Sequence, residues 1–256
     1  MSFEYISVED AMARRGLRMV VVGRVPSPWG EAAKNFFHLK KLDWAAVRLV
    51  YDDENLKRWA GQLSGPVAFY DDEPPRSGWA EILMLAERLA PEPALLPSDP
   101  LSRSRALLLC EKFCGEGGLG WTRRLQQVHA GLTKAGGFSE RVAAYLGNKY
   151  GYDPARAGEY GPRVCELLGE IAAALRAQRA LGKPYYLGDT LSAVDVYSAT
   201  FTAMFKPLPE DVCAMDPKLR AAFSLMDEAT AAAVDPVLIE HRDHLYASHL
   251  ALPLCL

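Results

Sequence analysis

Ser27-Pro28-Trp29 sets a hydroxyl where a helix begins. The turn from Gly23 to Pro26 precedes it, and from Glu31 onward Ala32, Ala33, Phe36, Phe37 and Leu39 recur at helical spacing. Pro28 suits the first helical position, where a missing N–H costs nothing. A helix start favours an anion through its unsatisfied N–H groups and the positive end of its dipole. A serine hydroxyl adds one more donor. The same serine can cap the helix, and the two roles are compatible. The five cysteines include none before Cys110, so any thiol chemistry at this turn uses a thiol brought from elsewhere.

A second constellation lies in Tyr185 to Thr200, where Ser192-Ala193-Val194-Asp195 has the spacing of a capping box, with Asp in the usual Glu or Gln place. The Ser192 hydroxyl is positioned to accept from the N–H three residues on, while Asp195 reaches back to the N–H of Ser192. Val194, Val196, Tyr197, Phe201 and Phe205 follow with little polar surface, which predicts a central helix whose start is satisfied internally. Two other groups invite chemistry and do not sustain it. Cys110 and Cys114 lie four apart with no His or second Cys pair, so no metal site is expected. His241-Arg242-Asp243-His244 lacks a preceding nucleophile and shares its helix with Leu238, Leu245 and Leu250, which makes it a buried ion-pair cluster or a surface face.

The elements that must hold these groups come from 256 residues, 50% hydrophobic and 24% charged, as in ordinary globular proteins. A net charge of −3 argues against a nucleic-acid surface. The basic pairs Arg14-Arg15, Lys40-Lys41 and Arg123-Arg124 are read as solvated charges. No stretch is apolar enough to span a membrane, and the N-terminus carries acidic residues where a secretion signal is basic and then apolar. An odd number of irregularly spaced cysteines implies reduced thiols and a cytoplasmic location.

Along the chain, residues 1–16 read as an extension with a short helix at Val8 to Arg15. Leu17 to Val22 is a buried strand and Trp44 to Tyr51 a second. A short helix at Asn55 to Leu63 follows, then a third strand over Gly65 to Tyr70 that starts at a proline. A turn at Asp71 to Pro75 leads into a short fourth strand, and Gly78 to Leu89 is a helix. The prolines from Pro91 to Pro97 make a linker. Beyond Asp99-Pro100 only helices are expected: Arg103 to Phe113, a glycine-broken helical stretch to Gly161, a periodic helix from Arg163, the capped helix, Leu219 to Val234, and Pro236 to His249. The apolar tail Leu250 to Leu256 should pack back on the body.

Five landmarks in order resemble the plan of the cytosolic glutathione transferases. They are the strand-turn-helix at Val22 to Lys34, Gly65-Pro66, the Ser77 to Leu89 helix, the linker ending Leu95-Leu96-Pro97, and the Leu187-Gly188-Asp189-x-Leu191-Ser192 helix start. The resemblance implies an α/β thioredoxin-like N-terminal domain at 17–90, a linker at 91–98, and an all-α helical-bundle domain at 99–256. It implies glutathione as co-substrate, held by Trp29, Gly65, Pro66, Arg76 and Ser77, with Ser27 as the catalytic hydroxyl that favours thiolate over thiol. Pro66 would be the cis-proline beside the cysteinyl backbone, and Ser77 would receive the γ-glutamyl carboxylate.

Here the chain departs from the family, because Arg76 stands where an acid usually receives the ligand's amino group. Glu81 and Asp72 are the available substitutes, and an arginine suits a carboxylate instead. The second substrate, a small hydrophobic electrophile, would meet an aromatic wall drawn from Trp121, Tyr150, Tyr152 and Tyr160; core packing is the competing explanation for those rings. The family resemblance further implies a homodimer. The alternatives are a non-catalytic binding or interaction protein of the same fold, and a glutathione-dependent isomerase or ether-cleaving enzyme.

Overall fold

Leu17–Val21 is the central strand, β2, and all five of its residues are buried. In this computed structural model, which describes residues 3–256, β2 pairs parallel with β3 (Trp44–Arg48) and antiparallel with β4 (Val67–Tyr70). Leu17 lies opposite Trp44 on one side and Tyr70 on the other. A two-residue strand, β1 (Tyr5–Ile6), adds parallel to β3, so the sheet order is β1-β3-β2-β4. The residues read as an extension therefore supply an edge strand and the helix α1 (Val8–Ala13), whose Val8 and Ala11 enter the same core as Val20, Val47, Leu56 and Phe69. Two residues are too few to show a strand period in sequence.

The helices α2 (Pro28–Leu39), α3 (Glu54–Ala60) and α4 (Trp79–Leu89) complete this part. The expected fourth strand after the turn does not form. Ala68 and Arg76 exchange their backbone bonds at 2.8 and 2.9 Å as an isolated bridge, and the adjacent Pro74 and Pro75 have no N–H with which to extend it.

The chain divides into two compact units, the first running through Leu95 and recruiting 209–215 and 248–256, the second comprising 96–208 and 216–247. Within the first unit the apolar tail packs back as expected. Lys34 Nζ donates to the Cys255 carbonyl at 2.8 Å, Asn35 Oδ1 accepts from the Ala251 amide at 2.9 Å, and Leu254 N–H reaches Val212 O at 2.8 Å. Lys40, read as solvated, is buried. Its ammonium donates to Glu87 at 2.6 Å and to the carbonyls of Ala90 and Pro93 at 2.6 and 2.9 Å, which gives each of its three donors an acceptor.

The second unit is helical: α5 (Pro100–Cys114), α6 (Leu119–Leu132), α7 (Glu140–Tyr150), a 3₁₀ turn at Pro154–Arg156, α8 (Ala157–Ala180), α9 (Ala193–Thr202), α10 (Pro217–Ser224), α11 (Glu228–Ala233) and α12 (Pro236–Ser248). In the glycine-broken stretch some glycines mark the breaks, with Gly115 closing α5 and Gly151 ending α7 at φ 70°, while Gly147, Gly158 and Gly161 lie within helices. Leu219 to Val234 is not one helix. Asp227 caps α11 through Thr230 N–H at 2.7 Å, and buried Arg123 donates to the Phe223 and Leu225 carbonyls at and just after the end of α10. Arg123 and Arg124, also read as solvated, are thus interior residues. Burial pushes Arg123 down to about 10, and Arg124 finds Gln127 Oε1 at 3.0 Å and the faces of Phe138 and Phe223. Among the described residues no helix is long and apolar enough to cross a membrane.

The start of α9 is buried, and one carboxylate satisfies it. Asp195 accepts four hydrogen bonds: Ser192 N–H at 2.9 Å and the Ser192 hydroxyl at 2.7 Å on Oδ2, with Tyr186 N–H at 3.1 Å and His241 Nε2 at 3.0 Å on Oδ1. Arg179 donates to the other ring nitrogen of His241 at 3.3 Å, which makes Nδ1 the acceptor and Nε2 the donor. Of the two settings read for the histidine cluster, His241 and Arg242 take the buried one, and Arg242 bonds Asp243 and the Lys206 carbonyl. Asp195→Ala leaves these donors without their acceptor inside the protein. It is expected to cost about 3–5 kcal/mol, read as a lower urea midpoint at unchanged slope.

Candidate functional site

The turn between β2 and α2 is drawn tight over β3. A Cβ at Gly23 would lie 2.8 Å from Arg48 Nε, so a side chain there would displace the arginine. The turn delivers Ser27 as the N-cap of α2, half-buried, with φ −67° and ψ 119°. Its carbonyl accepts the first rung of the helix, from Glu31 N–H at 2.7 Å, but its hydroxyl makes no capping bond. Behind it Glu31 and Lys34 are buried and joined at 2.7 Å. Burial pushes the Glu31 carboxyl upward, with Lys34 pulling it back.

The Gly65-Pro66 peptide is cis. A Cβ built on Gly65 would sit 3.4 Å from Val20 O and from Val22 N, so this peptide adjoins the end of β2 from which the Ser27 turn departs. Ser27, half-buried, follows in the turn that leaves that end of β2. Trp29, in the first turn of α2, is half-buried.

Ser77 is exposed at the head of α4, directly after the Ala68–Arg76 bridge. Its surroundings are already engaged. Arg76 bonds Glu73 at 2.5 Å, and Glu73 also takes Arg88 at 2.6 Å; these two guanidinium groups hold its carboxyl below the usual range. Of the two substitute acids, Asp72 pairs with Arg15 at 2.6 Å, while Glu81 turns back to accept from the amides of Gly78 and Ser77 at 2.9 and 3.2 Å. The Gly78-x-x-Glu81 spacing carried a signal for this backward cap that the reading of α4 passed over.

No known family model matches the sequence, and no curated protein matches it. Solved structures do. A glutathione S-transferase from Xanthobacter autotrophicus Py2 superposes with a TM-score of 0.60 at 15% identity, covering 94% of this chain and 98% of that one. The fold is that of the glutathione transferases. A glutathione S-transferase from Methylobacterium radiotolerans, in complex with glutathione sulfonate, gives 0.58 at 19% identity over 91% of each chain. A glutathione transferase family member from Pseudomonas fluorescens with two glutathione bound gives 0.57 at 14% identity over 92% and 97%.

Within the glutathione-transferase fold, the second unit has a broad cleft of its own, about 880 Å³ in volume. Trp121, Tyr150 and Tyr160 line it together with Leu125 and Pro162. Polar ends of the wall are used internally: Trp121 Nε1 donates to Tyr150 O at 3.0 Å, and Tyr160 Oη pairs with the Asp153 backbone at 3.0 Å. Tyr152 is directed elsewhere, with its hydroxyl 2.9 Å from His129 Nδ1. The rim carries the exposed pairs Arg156–Glu159 and Arg163–Glu166, which sequence reasoning did not single out.

The cysteines take no part in these features. Cys110, Cys114 and Cys213 are buried, Cys165 and Cys255 half-buried, and none forms a disulfide. Burial raises Cys110 and Cys114, so both remain thiols at neutral pH. Among the described residues no group of His, Cys, Asp or Glu is placed to hold a metal ion. Native protein treated with iodoacetamide at pH 8 should be alkylated at Cys165 and Cys255, and at the other three only after unfolding, as read by peptide mass mapping.

Proposed function

We propose that this protein binds glutathione along the Ser27 and Gly65-Pro66 edge of its first unit and activates the thiol for attack on a small hydrophobic electrophile. The observation that carries this reading is the Ser27 hydroxyl, half-buried at the start of α2 and not spent on capping it. A hydroxyl donating to sulfur and the positive end of a helix both favour thiolate, and each pKa unit gained is about 1.4 kcal/mol of preference. The sulfur then bonds the electrophilic carbon while the leaving group departs with the electron pair, and the thiol proton passes to solvent. Gly65 offers its backbone to the cysteinyl part, and Trp29 is assigned to the same ligand. Two of the solved neighbours were crystallised with glutathione or its sulfonate, which supports the choice of ligand.

Trp121, Tyr150 and Tyr160 are the residues we assign to an apolar planar substrate. A cytoplasmic homodimer accords with this reading, and free cysteines suit a reducing compartment. The isomerase and ether-cleaving alternatives use the same bound thiol and differ in the acceptor. A non-catalytic binder of the same fold is the second reading, and the engagement of Arg76 by Glu73 favours it, because that pair offers no free acid to the ligand's amino group.

Calorimetric titration with glutathione separates the two, since absence of binding at millimolar ligand removes the transferase. In the binding protein, Ser27→Ala should raise the apparent pKa of the bound thiol by about one unit and slow turnover of an aryl chloride by about tenfold. An unchanged pKa and rate would take Ser27 out of the mechanism.

A further inference from the structure

Tyr150, part of the aromatic wall of the cleft in the second unit, touches two cations. Buried Arg124 hydrogen-bonds the Tyr150 side chain, and the half-buried Lys149 ammonium lies 5.7 Å from the centre of its ring. Neither cation meets a carboxylate within ion-pair distance among the described residues. The other acceptor of Arg124 is the neutral Gln127 Oε1 at 3.0 Å, and its Nε has no acceptor among the described residues. Burial, and then the charge of Arg124, push the Lys149 ammonium down, so the two cations oppose one another. The acids that line the cleft do not offset them. Glu159 and Glu166 are exposed and paired with Arg156 at 2.9 Å and Arg163 at 2.6 Å, and Glu116 is exposed. Exposed charges act through water, whereas a buried charge acts through an effective dielectric about fourfold lower. The balance at Tyr150 is therefore positive.

We propose that this cleft selects planar aromatic acids, with Trp121, Tyr150 and Tyr160 taking the rings and the field of Arg124 and Lys149 favouring the carboxylate. This rests on the assignment of the cleft to an aromatic ligand made above. Trp121 and Tyr150 pack edge to face with ring centres 4.8 Å apart, and Trp121 Nε1 is tied to Tyr150 O at 3.0 Å. The wall is thus built before any ligand arrives, and it contributes alike to acids, neutral compounds and amines of one ring size. Charge is what separates them. A carboxylate seated near Tyr150 supplies the counter-charge that the chain withholds, while a neutral ring gains nothing from it and an aromatic cation is repelled. The cleft, about 880 Å³ in volume, has room for a two-ring acid.

The test is calorimetric titration of the full chain at pH 7 with naphthoate, naphthylmethanol and naphthylmethylammonium, which share a ring system and differ in charge. Naphthoate should bind about tenfold more tightly than the alcohol, and the ammonium compound more weakly than either. Trp121→Ala should weaken all three, which places them in the cleft. Lys149→Met should remove most of the margin between acid and alcohol and leave the alcohol's affinity unchanged, while Lys149→Arg retains the margin. Circular dichroism establishes that the variants are folded, and Lys149→Gln decides in place of the Met variant if that one is not. Equal affinity for acid and alcohol in the parent, or preference for the amine, overturns the charge selection and leaves the cleft as an aromatic site. An equal loss for all three ligands in Lys149→Met also overturns it, because the lysine would then be shaping the cleft. Failure of all three to bind the parent, or binding that Trp121→Ala does not weaken, overturns the assignment of the cleft itself. The glutathione reading of the first unit stands or falls separately, on titration with glutathione.

Discussion

The first N–H groups of a helix have no partner in their own ladder, and this protein disposes of them differently from one helix to the next. Three helix starts are treated in three ways. At α9 the start is buried, and the Asp195 carboxylate collects the donors within hydrogen-bond range. At α4 the start is exposed and Glu81 folds back over it. At α2 the Ser27 hydroxyl stands at the helix start without capping it. The first arrangement is closed by a carboxylate inside the protein, the second by a side chain from the next turn, and the third leaves its hydroxyl out of the cap.

The same accounting explains how charges are kept inside. Lys40 finds three acceptors where α4 gives way to the linker, and Lys34 finds a carboxylate and a tail carbonyl. Arg123 and Arg124 lack a carboxylate within ion-pair distance among the described residues and rest instead on carbonyls, glutamine oxygens and ring faces. Each buried cation gathers segments distant in sequence: the linker for Lys40, the C-terminal tail for Lys34, and the break between α10 and α11 for Arg123. Pairing is costly to arrange and costlier to leave incomplete, so these residues specify where loops end.

On the proposed reading, chemistry falls where that satisfaction is incomplete. Ser27 sits on a turn whose Gly23 leaves no room for a side chain against Arg48, and the cis Gly65-Pro66 peptide adjoins the end of β2 where that turn begins. The head of α4 is crowded by charges of both signs, with Glu73 drawing two guanidinium groups onto itself. In the helical unit the aromatic wall of the cleft is rigidified by Trp121 and Tyr160, which spend their polar atoms on the backbone.

Local pattern was enough for much of this. The β-branched run at Leu17, the periodic helices, the proline linker and the Ser192 to Asp195 spacing are properties of short windows, and near neighbours in sequence enforce them. The strand at Tyr5 was not legible, because two residues show no period and only pairing with Ala46 and Val47 makes them a strand. Nor were the interior positions of Lys40, Arg123 and Arg124, since a basic pair looks the same whether it meets water or a distant carbonyl. The sequence by itself determined most of the elements and which residue types could carry chemistry; the tertiary structure decided the edge strand, the missing fourth strand, the break between α10 and α11 and which polar groups are consumed. Satisfaction of a donor depends on an acceptor brought from elsewhere in the chain, as with His241 on Asp195, and no local window contains both.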